Sequence, residues 1–152
     1  MKRGHRRVRG ALVRAALLSA SWLSACESEE RLSIVGPEIF GEPAIGTPLV
    51  FEEVVLDRTR PSSQVLRIGN RGQGILTVND VRLEGTSADH FRLGLRPRAV
   101  APGQFGTLDI EFTPTETAAH EAQLIIASND VRRPRAVWPQ QGNARNPCSI
   151  EA

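Results

Sequence analysis

The stretch Thr107-Leu108-Asp109-Ile110-Glu111-Phe112-Thr113-Pro114 decides the fold class. Leu108, Ile110 and Phe112 alternate with Asp109 and Glu111. A period of two with charge on one side predicts a half-buried β-strand. The segment Ala101-Pro102-Gly103-Gln104 before it reads as a turn, and Pro114 after it has no N–H to donate and ends the ladder.

The same rhythm recurs on both sides. Gln64 to Ile68 points Leu66 and Ile68 inward and stops at Asn70-Arg71-Gly72. Ile75 to Val78 and Val81 to Leu83 are predicted as two strands divided by Asn79-Asp80, and Phe91 with Leu93 marks another. Glu121 to Ala127 places Ala122, Leu124 and Ile126 on one face and ends at Ser128-Asn129-Asp130. Arg135 to Pro139, with Val137 or Trp138 inward, is predicted to be the last strand, and Val50 to Leu56 the first. Turn signals every eight to twelve residues over about 95 residues predict an all-β fold: an antiparallel immunoglobulin-like sandwich of seven or eight strands over 49–143.

Composition agrees. The 152 residues include 13 Gly and 10 Pro but only five Phe, two Trp and no Tyr, which favours turns over long helices. The formal charge of +2 misleads, because Lys2, Arg3, Arg6, Arg7, Arg9 and Arg14 all precede position 26. The rest of the chain has thirteen arginines against seventeen carboxylates, four negative charges in excess. An acidic body excludes a nucleic-acid binder, which needs a basic face.

Residues 1–25 read as an export leader: a basic start, then an apolar run from Ala11 to Leu23 broken only by Arg14. Thirteen residues are too few to cross a hydrocarbon core, which takes about 20 in a helix. The run ends in Leu23-Ser24-Ala25-Cys26, which resembles the bacterial lipobox: an aliphatic residue, two small ones, then the cysteine whose thiol becomes a thioether to diacylglycerol. The resemblance implies cleavage before Cys26 and a membrane anchor made of its fatty acyl chains. It places the protein in the cell envelope, and Glu27, not Asp, after the cysteine points to the outer membrane. From 26 to 48, clustered Glu and recurrent Gly and Pro predict a mobile tether. Ile34, Val35, Ile39, Phe40 and Ile45 leave open that one short run docks as an extra edge strand. Residues 144–152 read as a tail or a linker.

Across 49–142 the order Asn70-x-Gly72, Phe91, Pro102-Gly103, Phe112-x-Pro114, Ser128-Asn129-Asp130 resembles the ASH-type domain, labelled choice-of-anchor D in exported bacterial proteins and related to major sperm protein and PapD-like sandwiches. The resemblance implies a non-catalytic, immunoglobulin-like module. It gives Gly72 and Gly103 positive-φ turn positions and Asn129 or Asp130 an Asx-turn. Three positions depart from the pattern: Glu52 follows Phe51 where the family has Gly, Ala119 precedes His120 where it has Gly, and Gln140 follows Pro139 where it has Leu.

The residues themselves predict no catalytic centre, cofactor or metal site. His90 and His120 are thirty residues apart and read as strand-edge surface residues. Asp89-His90 and Glu52-Glu53 are neighbours that a strand would send to opposite faces. Arg132, Arg133 and Arg135 form the largest basic patch, read as a solvated edge-protecting loop, with an acidic envelope polymer as the sharper alternative. Trp138 is expected in the core. Cys148 would be the one thiol left after acylation, available for an intermolecular disulfide. The functional expectation is a structural or interaction module that binds an envelope protein or glycan. The alternative is a periplasmic assembly factor or chaperone-like binder working by strand addition.

Overall fold

The computed structural model describes residues 35–57 and 60–148. Among these described residues ten strands are formed: β1 (Ile39–Glu42), β2 (Leu49–Val50), β3 (Val54–Val55), β4 (Ser62–Asn70), β5 (Leu76–Glu84), β6 (Phe91–Leu93), β7 (Ala99–Val100), β8 (Phe105–Phe112), β9 (Ala119–Ser128) and β10 (Arg135–Arg145), with a 3-10 turn at Ala88–His90. One sheet runs β1-β4-β8-β6. The other runs β2-β10-β9-β5-β7, with β3 also on β10. Together they make an immunoglobulin-like sandwich.

The alternation that predicted the strands also supplies the core. Leu66, Ile68, Leu108, Ile110 and Phe112 from the first sheet face Leu76, Val81, Leu124, Ile126 and Trp138 from the second, all buried. Phe91 lies 4.9 Å from Phe112 and 5.3 Å from Phe51, centroid to centroid, which closes one end of the core with three rings. Trp138 is fully buried, and its indole N–H donates to the Pro43 carbonyl at 3.0 Å.

Four expectations are corrected. Of the two readings of 26–48, the docked edge strand replaces the tether at 39–42. Ile39–Glu42 pairs antiparallel with β4, Ile39 is buried, and Gly41 sits against the Trp138 ring where a Cβ would clash. The opening strand is split into β2 and β3 around Phe51, and both pair parallel with β10, so the sandwich is not wholly antiparallel. Asn79-Asp80 does not separate two strands, because β5 runs through it with a bulge between Val78 and Asp80. The last strand does not stop at Pro139 but continues through Gln140 to Arg145, two residues past the expected end of the domain.

Candidate functional site

Most of the motif residues, from Asn70, Gly72, Pro102 and Gly103 to Ser128-Asn129-Asp130, meet at one end of the sandwich, where they hold loops together. Asn70 ends β4 fully buried. Its Oδ1 accepts from Glu38 N–H at 3.1 Å and Gly72 N–H at 3.0 Å, and its Nδ2 donates to Gly74 O at 2.7 Å and Val100 O at 2.9 Å. Both lone pairs and both amide hydrogens are thereby used. Its backbone also bonds Gln104 O and Gly103 N–H. Gly103 has φ +72° behind Pro102, with Gln104 N–H bonded to Ala101 O, as a type II turn requires. Gly72 does not have positive φ, so that expectation is corrected. It is needed because a Cβ would lie 2.0 Å from Gly36 O.

Ser128-Asn129-Asp130 makes the matching clamp after β9. Asn129 Oδ1 accepts from Thr77 N–H at 2.7 Å, and its Nδ2 donates to Ile75 O at 3.1 Å. Asp130 is buried. Its Oδ1 accepts from Arg132 and Arg133 N–H in an Asx-type turn, and its Oδ2 reaches the other sheet to accept from Ile39 N–H at 3.0 Å. Ser128 Oγ accepts from Asp130 N–H at 3.4 Å. Phe91 and Phe112 are core, and Pro114 follows the end of β8. These residues therefore specify architecture.

Two surface features complete the picture. On the outer face of the first sheet, Gly69 lies between Phe40 and Phe105 in register, and the two rings meet edge to face at 5.2 Å above it. Arg71 stacks 4.1 Å over Phe40 and Arg67 4.0 Å over Phe105, while Arg67 also pairs with Glu42 at 2.5 Å. Phe105 remains 40% exposed and Val65 52% exposed on the same face. On the outer face of the second sheet, Arg82 bonds Asp80 at 2.6 Å and Glu84 at 2.7 Å, and Arg135 reaches Glu84 at 3.2 Å. The Arg82 hydrogen bond holds the Glu84 carboxyl below its ordinary range. The arginine patch is thus divided: Arg135 is paired, and Arg132 and Arg133 hold the turn through their backbone.

At the opposite end of β9 the sequence reading of the histidines fails. His120 is buried, not a surface residue, because β9 alternation puts it on the face of Ala122 and Leu124. His90 is in the 3-10 turn before β6, and its ring centroid is 4.1 Å from that of His120. The exposed Glu116 joins them, with its carboxylate 3.7 Å from His90 Nε2 and its backbone carbonyl 3.2 Å from His120 Nε2. Donor atoms of the three side chains lie within 4.8 Å of one another. The period-two pattern of residues 120–126 is the signal that would have turned His120 inward.

Gln140 is fully buried. Its Nε2 donates to Trp138 O at 3.0 Å and its Oε1 has no partner. A shallow 470 Å³ depression beside it is lined by Glu84, Thr86, Glu121, Gln123 and Gln141, polar chains without a convergent catalytic set. Cys148 is an exposed free thiol, 3.8 Å from the Arg145 guanidinium. Leu23, Ser24, Ala25 and Cys26 lie outside the described residues. Among the described residues, no helix is long and apolar enough to cross a membrane.

No protein-family model matches the chain, and no curated protein matches it in sequence. Solved structures match in fold. The ASH/PapD-like domain of human CEP192 (PapD-like domain 7) superposes with a TM-score of 0.52 at 14% identity, over 95% of this chain and 99% of that one. A protein of unknown function from Porphyromonas gingivalis W83 superposes at 0.59 and 15% identity, over 73% of this chain, which spans 48% of that protein. VesB protease of Vibrio cholerae matches at 0.49 and 11% identity, over 70% of this chain and 31% of the protease. Identities this low speak to fold alone. In fold, the described residues form a sandwich similar to the ASH/PapD-like domains.

Proposed function

We propose that this chain is an exported, lipid-anchored protein of the cell envelope whose choice-of-anchor D-type sandwich is a non-catalytic structural and interaction module. The reading rests above all on Leu23-Ser24-Ala25-Cys26 at the end of an apolar segment of signal-peptide length. Each buried methylene contributes about 0.8 kcal/mol to membrane binding, so two or three acyl chains on Cys26 anchor the chain stably where one would not. The sandwich supports the second half of the reading. Asn70, Asn129 and Asp130 are committed to internal bonds, while the Phe40–Phe105 row with its stacked arginines offers rigid aromatic and guanidinium surface of the kind protein interfaces favour. The partner is an envelope protein or glycan.

Strand addition, the alternative, would meet short edge strands, with β4 from Ser62 to Leu66 lying beyond the β1 pairing. β6, β7 and β1 are three, two and four residues long. Beside β7, the outer edge of β5 is engaged by Val78 N–H to Arg98 O and by Arg96 to Val81 O. Docking through a face is therefore the better-supported mode. Detergent phase partitioning tests the anchor. The wild-type protein enters the detergent phase and Cys26→Ala stays in the aqueous phase. Equal partitioning of the two overturns the proposal.

A further inference from the structure

We propose that His90, Glu116 and His120 form a binding site for one late first-row divalent ion, for which Zn²⁺ is the natural occupant. The donor set is two imidazoles and one carboxylate, which suits zinc and leaves a fourth position for water. The three residues come from the turn before β6, the β8–β9 connection and the start of β9, so a bound ion would tie the two sheets together at this end.

The tautomers can be read from the partners. A carbonyl only accepts, so His120 donates through Nε2–H to Glu116 O, and its Nδ1 holds the lone pair. That is the arrangement of a metal-ligating histidine, whose second ring nitrogen is oriented by a backbone carbonyl. His120 is buried and packs against Phe112 with the rings tilted and 5.5 Å apart, which limits its movement. His90 is 15% exposed and presents Nε2 toward the Glu116 carboxylate. Its Nδ1 accepts from Thr115 N–H at 3.4 Å. Ligation through Nε2 moves the ring proton to Nδ1 and opens that contact, which is at the long limit for a hydrogen bond.

The remaining movement is small. Zinc–nitrogen and zinc–oxygen bonds of about 2.0–2.2 Å in a tetrahedron put donors roughly 3.3 Å apart, against the present span of up to 4.8 Å. Glu116 is 71% exposed on a connection between strands and can close that gap by changing rotamer.

The test is titration of the full chain in detergent with Zn²⁺ alone, followed by calorimetry, and with Co²⁺, followed by visible absorption. Cys148→Ser is included because the exposed thiol is a competing ligand. One Zn²⁺ per chain is expected, retained in Cys148→Ser and weakened at least tenfold in both Glu116→Gln and His90→Gln. Both of these positions are accessible enough that the fold should survive, which circular dichroism verifies. Co²⁺ should give the intense visible bands of a four-coordinate site in the wild type and in Cys148→Ser, and lose them in Glu116→Gln and His90→Gln. Absence of binding at millimolar Zn²⁺, binding that disappears with Cys148→Ser, or binding undiminished in Glu116→Gln and His90→Gln overturns the proposal.

Discussion

Replacing Asn70 by Ala removes four side-chain hydrogen bonds at once: those to Glu38 N–H, Gly72 N–H, Gly74 O and Val100 O. At a net value of about 1 kcal/mol each, their loss amounts to about 4 kcal/mol. The side chain is fully buried, so the Gly72 N–H and Val100 C=O are left without water as a substitute, and the same loss reckoned as about 1–3 kcal/mol for each of these two orphaned groups is of similar size. Loop relaxation offsets part of this, and a loss of about 3–5 kcal/mol is expected, at the upper end for a point substitution. Total stability for roughly 110 structured residues is about 6–17 kcal/mol, so the variant folds but with a large fraction of its margin gone. Urea denaturation followed by Trp138 fluorescence should show the midpoint falling by roughly 2 M, for a slope near 2 kcal/mol/M that itself does not change. Asn70→Asp separates hydrogen bonding from volume. It keeps the acceptor for Glu38 and Gly72 but points an anionic oxygen at two carbonyls now 2.7 and 2.9 Å away. At neutral pH it should be at least as unstable as the Ala variant. A loss below about 1 kcal/mol for Asn70→Ala, or a wild-type midpoint for Asn70→Asp, would refute the argument that the motif holds the fold.

Asp130→Asn should lose about 2–4 kcal/mol in the same assay, because one of its two acceptor oxygens becomes an NH₂ facing backbone N–H groups that it now accepts from. A midpoint within error of wild type would contradict the clamp between the sheets. Glu84→Gln probes the surface ion-pair row. The Glu84 carboxyl titrates below its ordinary value of 4.5 in the folded protein, chiefly through the Arg82 hydrogen bond. Its stabilising effect is therefore present above that pH and lost as the pH falls through the lowered folded value. Denaturation curves should show wild type slightly ahead of Glu84→Gln at pH 6–7 and level with it at the acid end, with the difference shrinking in high salt. A gap that widens on acidification would contradict the assignment.

The strands whose two faces differ in polarity were legible. Leu108, Ile110 and Phe112 in β8 and Ala122, Leu124 and Ile126 in β9 are buried as their alternation required. What failed depended on fit between distant residues. The composition of 26–48 reads as tether with a docked edge strand left open, and the choice rests on distant contacts: Phe40 covers the bare backbone of Gly69 and Gly41 lets β1 settle on Trp138. Asn79-Asp80 has turn chemistry, but β9 pairing carries β5 through it as a bulge. Arg135 to Pro139 reads as the last strand, yet β10 runs on through Gln140, where its parallel pairing with β2 begins. Among the motif residues, Gly72 serves close approach to Gly36 and not positive φ, which only the fold of the distant segment decides. The histidine cluster was missed because His90 and His120 were judged by separation in sequence, although period two already faced His120 inward.

The proposal that the chain is a lipid-anchored envelope module is tested most directly by the mass of its N-terminal peptide after extraction from membranes in detergent. The account predicts a mature chain beginning at Cys26, its thiol carrying diacylglycerol. An N-terminus at any other residue, or a Cys26 without the lipid, would contradict it.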